Sequence, residues 1–79
     1  MYAIKLESFN AWIGYALSDL ARLAGHDTPT ARGIGVDMVL GSLRHALRRA
    51  NEMRDPARKA LCLRLINWLR ADMRKAVHS

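Results

Sequence analysis

Three stretches of the chain place apolar residues at helical spacing. Leu6, Phe9, Ile13, Ala16, Leu17, Leu20, Leu23 and Ala24 recur every three or four positions, so at 100° per residue they gather on one side of a wheel. Glu7, Asn10, Gly14, Ser18 and Arg22 fall opposite. The pattern predicts an amphipathic helix over about 8–24, with Ser8 as N-cap and Gly25 as the C′ stop. A second stripe runs through Val36, Val39, Leu40, Leu43, Ala46, Leu47, Ala50 and Met53, with Asp37, Arg44, His45, Arg48, Arg49 and Glu52 on the other side, and predicts a helix over about 35–54. Thr28 before Pro29 suits an N-cap and N1 pair. Gly33 and Gly35, however, each cost about 1 kcal/mol relative to Ala inside a helix, which leaves 29–35 open between a frayed turn and a loop.

Asp55 followed by Pro56 is the clearest break, and it starts a third helix over about 56–77. Leu61, Cys62, Leu65, Ile66, Trp68, Leu69, Met73 and Ala76 point inward on its wheel; Lys59, Arg64, Asn67, Arg70 and Arg74 point outward. Asp72 falls between Leu65 and Trp68 in the apolar sector, where an unpaired carboxylate is costly. Tyr2, Ile4 and Leu6 alternate with Ala3, Lys5 and Glu7, so the first seven residues read either as a short extended arm or as further helical turns. The expected fold is all-α: an antiparallel three-helix bundle, or a hairpin of helices two and three whose open seam pairs with a second copy while helix one crosses over.

The 79 residues allow a single domain, 1–79. Folding a chain this size hides on the order of 8,000 Å², which contributes about 120 kcal/mol of apolar burial. Ordering it at ~1.5 kcal/mol per residue costs nearly the same. Cys62 is the lone cysteine, so no intrachain disulfide tips that balance. Regular packing or self-association must do so. A homodimer is therefore expected, with Trp68 and Asp72 at its interface and Asp72 meeting an arginine.

The net charge of +6 is unevenly placed: residues 1–40 hold three basic and four acidic groups, residues 41–79 ten basic and three acidic. Phosphates, an acidic protein surface or an anionic membrane would complement the second half. No run of 18 apolar residues suggests a membrane span, MYAIKLESFN lacks the features of a signal peptide, and the single cysteine fits a reducing compartment, so a cytoplasmic location is expected.

Chemistry is sparse. His26, His45 and His78 have no second ligand at metal spacing, so no metal is expected. Cys62 sits on an apolar face, where a thiol is an inert small hydrophobe. RGIGVD lacks phosphate-loop spacing, and no acid, base and nucleophile assemble from the sequence, so neither a cofactor nor an enzymatic activity is expected. SDLARLAGHDTPTARGIG at 18–35 loosely resembles a helix-turn-helix through Leu20, Ala21, Leu23, Ala24 and Gly25. It departs from that motif because Gly33 and Gly35 fall where the recognition helix must be stiff.

Two surfaces remain. Arg44 and Arg48 share one ridge of the second helix and His45 and Arg49 the next; with Arg70 and Arg74 of the third helix, Arg44 and Arg48 form a candidate phosphate-binding set for RNA or DNA. No aromatic interleaves them for base stacking except Trp68 at the expected core edge. Trp12, Tyr15 and Met38 border the polar sides of the first two helices, beside Asp19 and Arg22, and aromatic residues, methionine and arginine are what protein interfaces concentrate. The leading expectation is a small non-enzymatic regulator or inhibitor, of the kind found in bacteria or phages, that docks on an acidic surface of a larger protein. Arg44, Arg48 and Arg49 would steer and Trp12, Tyr15 or Met38 would anchor. A nucleic-acid accessory protein is the alternative.

Overall fold

The computed structural model describes residues 2–23, 25 and 28–78, the side chains of 29 and 73–78 excepted, and consists of three helices: α1 (Tyr2–Leu23), α2 (Pro29–Glu52) and α3 (Pro56–His78). His26 and Asp27, and the side chains of Met73, Arg74, Ala76 and His78, lie outside the described residues.

Local chemistry sets two of the boundaries where the sequence places them. The Thr28 hydroxyl accepts from the Ala31 amide at 3.1 Å, and Pro29 occupies the first turn, where its missing N–H costs nothing. The Asp55 carboxylate accepts from the Arg58 amide at 3.0 Å and pairs with the Arg58 guanidinium, capping α3. Between α2 and α3 the Arg54 amide bonds to the Asn51 carbonyl at 3.1 Å and the Asp55 amide to the Ala50 carbonyl at 3.0 Å. That pair of bonds is a Schellman closure, and Arg54 fills its left-handed position with φ 54°.

Three expectations are corrected. There is no extended arm: α1 begins at Tyr2, because in helical phase Lys5 and Leu6 become half-buried and Lys5 reaches Glu52 of α2 at 3.9 Å. Ser8 is therefore inside α1 and caps nothing. Its hydroxyl instead accepts from Arg49 Nε at 3.1 Å. Residues 29–35 are neither loop nor frayed, since a capped start and burial of Gly35 and Val36 outweigh the glycine penalty. Gly25 lies just past the end of α1, as its place at the stop of the stripe predicts, and its N–H closes onto the Arg22 carbonyl at 3.0 Å.

The helices are antiparallel in sequence order. Lys5 meets Glu52, Ser8 meets Arg49 and Trp12 meets His45, so each step along α1 is matched by an equal step back along α2. This lengthwise packing differs from the steep crossing of a helix-turn-helix. One buried cluster joins Ala16 and Leu23 of α1 with Val36, Val39, Leu40 and Leu43 of α2 and Ile66 and Leu69 of α3. A second, nearer the α2–α3 turn, packs Phe9 and Cys62 against Ala46 and Ala50, where small side chains let the helices approach. The Arg58 guanidinium covers this end, 5.7 Å from the Phe9 ring centre.

The central helix is α2. Among the described residues α1 and α3 bring no Cα atoms within 8 Å of each other, and the body measures 44 × 19 × 13 Å. Side chains alone bridge the outer helices. They leave a groove floored by Val39 and Leu43 and walled by Leu17 and Leu20 on one side and Leu65 and Trp68 on the other. This opening corrects a further expectation: Leu17, Leu61 and Trp68, inward on the wheel, are exposed, Trp68 by 55%. Asp72 is exposed too, so its carboxylate is not buried in the core of one chain.

Candidate functional site

Burying α2 on two neighbours leaves it one outer face. Its inner positions are spent on α1 and α3, so Ile34, Met38, Gly41, His45 and Arg48, spaced alternately by four and three, form a seam on the opposite side. Ile34 and Met38 are exposed by 59% and 54%. At the α1 edge of this seam His45 stacks on Trp12 with ring centres 4.3 Å apart and planes 17° from parallel, and Tyr15 meets Trp12 edge-on at 5.6 Å. Tyr15 stays exposed by 58%. At the α3 edge stand Arg44 and Arg48, one turn apart and exposed.

Thus Trp12, Tyr15, Met38, Arg44 and Arg48, taken from two helices in the sequence, share one broad surface running from aromatic to cationic. Arg49 does not serve it as expected. Its Nη1 lies 3.0 and 3.2 Å from the two Glu52 oxygens while Nε is held by Ser8, which commits the guanidinium to the α1–α2 seam. Sequence reasoning missed Ile34, which falls in the 29–35 segment left open between a frayed turn and a loop, and the stack of His45 on Trp12. The only sequence signal for the latter was the position of Trp12 at the border of its apolar stripe, since His45 falls on the polar side of its own helix.

On α3, Lys59 lines a small cleft at the turn with Asn51 of α2 and Arg54 of the turn itself, whereas Arg58 reaches toward α1. Lys59 and Arg70, eleven residues apart, share a ridge. That ridge lies on the side of α3 away from α1, so Arg70 flanks the same outer side as Arg44 and Arg48. Trp68, which lines the α1–α3 groove, does not interleave these cations. The side chain of Arg74 is outside the described residues.

Cys62 is fully buried, and burial pushes its thiol above the ordinary range, away from the thiolate needed for nucleophilic or redox chemistry. Among the described residues no three His, Cys, Asp or Glu side chains converge as a metal site, and no helix is long and apolar enough to cross a membrane. Comparison with family models, with curated proteins and with solved structures finds no match to this chain.

Proposed function

We propose that this chain is a small non-enzymatic regulator or inhibitor that docks the outer face of α2 and its α1 edge onto an acidic surface of a larger protein. What supports the reading is the exposure, on the outer side of the α1–α2 pair, of Tyr15 and Met38 toward the α1 edge and of Arg44 and Arg48 toward the α3 edge, the two arginines having no ion-pair partner among the described residues. A cationic flank raises the rate of encounter with an acidic surface, and desolvated aromatic and thioether groups lengthen the complex's life. Each part of that division of labour has its own residues here.

The second reading, binding to a nucleic-acid backbone, draws on Arg44, Arg48, Lys59 and Arg70 flanking one side of the α2–α3 hairpin. It ranks lower because no aromatic stands between these four cations: Trp12 and Tyr15 lie at the α1 edge, against His45.

The test is capture from nuclease-treated lysate of the native host, followed by binding kinetics with the recovered protein. Arg44→Glu with Arg48→Glu should slow association markedly at low salt, and Tyr15→Ala should mainly speed dissociation, with helicity unchanged in both. Capture of nucleic acid alone, and only when nuclease is omitted, would reverse the order of the two readings.

A further inference from the structure

The groove between α1 and α3 is a second surface, on the other side of the molecule from Arg44 and Arg48. We infer that a second copy of this chain covers it, with the ridge Arg64, Trp68, Asp72 of α3 lying antiparallel across its twin on a two-fold axis at Trp68.

Apolar side chains stay exposed along α3 in helical order. α3 carries two parallel seams: Cys62, Ile66 and Leu69 are buried against α2, while Leu61, Leu65, Trp68 and Asp72 repeat at the four-three-four spacing of a helix-packing seam. α1 covers the second seam only in part, leaving Leu61 exposed by 45% and Trp68 by 55%.

Charges flank that exposed ridge at both ends. Arg64 and Asp72, both exposed, stand one turn before and one turn after Trp68 on the same face. A two-fold axis through Trp68 sets each Asp72 opposite Arg64 of the other copy, giving two ion pairs from one self-complementary ridge. Parallel apposition would instead set like charges together. The cations Arg44, Arg48, Lys59 and Arg70 stay on the far side of each copy, which limits repulsion between two chains of charge +6.

The accessible surface is 5644 Å², whereas a compact monomer of 8.9 kDa exposes about 4,800 Å². The surplus, about 840 Å², is the size of the roughly 800 Å² that each partner contributes to a standard interface.

This inference leaves the outer face of α2 free and does not depend on what binds there. It is tested on the purified full chain by sedimentation velocity across micromolar concentrations, with circular dichroism on every variant. The unaltered chain should form a dimer. Trp68→Ala should raise the dissociation constant roughly a hundredfold. Asp72→Arg or Arg64→Asp alone should raise it roughly tenfold, and the two together should restore it. Should Trp68→Ala lose helicity, the charge pair still decides, because both of its positions are exposed. A wild-type monomer throughout, a dimer indifferent to Trp68→Ala, or a charge swap no better than either single change would each overturn the proposal and leave the groove to a different partner.

Discussion

Arg49 donates through Nε to the Ser8 hydroxyl at 3.1 Å, joining the first turns of α1 to the last turns of α2. The same guanidinium holds Glu52, which in turn lies 3.9 Å from Lys5, so four side chains latch this end of the α1–α2 pair. A residue whose sequence position suggests a free steering charge is thereby a structural one. In a double-mutant cycle in urea, Arg49→Ala and Ser8→Ala should be non-additive by about 0.5–1.5 kcal/mol. Additive effects would show that the bond contributes nothing in solution.

Arg54 occupies the left-handed turn position that glycine favours. A non-glycine residue there stores about 1 kcal/mol, so Arg54→Gly should stabilise the protein by about that amount. A lower urea midpoint for the variant would contradict this.

Gly14 and Gly41 lie inside helices, and a Cβ at either meets nothing within 4 Å. Gly14→Ala and Gly41→Ala should each raise stability by up to about 1 kcal/mol, through helix propensity and a less disordered unfolded chain. Thermal melts that fall for both would refute the open space assigned to them.

The amide of Arg58, and then its guanidinium, hold the Asp55 carboxyl below the ordinary carboxylate value. A depressed folded pKa makes the contribution of Asp55 complete above the unfolded value near pH 4, and the contribution is lost as pH falls through the lower folded value. Asp55→Asn, which retains a capping oxygen, should flatten the fall in melting temperature below pH 4 and leave the curve above pH 5 parallel to that of the parent. An unchanged acid limb would assign the acid loss to other carboxylates.

Cys62 has no accessible surface in the folded chain. Its alkylation by iodoacetamide should be negligible in buffer and should rise with urea along the same curve as the loss of helicity. Rapid labelling of the native protein would mean that the cluster around Phe9 opens locally.

The periodic part of this protein was legible in the chain before any packing was known. Stripes such as Val36, Val39, Leu43 and Ala46 specify helices because a 3.6-residue period leaves few other ways to bury them. Thr28-Pro29 and Asp55-Pro56 specify starts because capping is local chemistry within one turn. Of the candidate site, the exposure of Arg44, Arg48, Tyr15 and Met38 was legible for the same reason. The wheel of a single helix could not decide how wide a neighbour's cover would be. Leu17, Leu61 and Trp68 count as core by hydropathy, yet α1 and α3 both lean on α2 without closing on each other, so all three stay at the lips of a groove. Nor could it decide pairing across helices: Arg49 with Ser8 and Trp12 with His45 follow from the antiparallel register of α1 against α2. Tertiary packing also overrode local propensity at both uncertain segments. Cover from α2 outweighs the alternation of residues 2–7, and burial of Gly35 and Val36 outweighs the entropy cost of two glycines, because burial of side chains across helices is the larger energy.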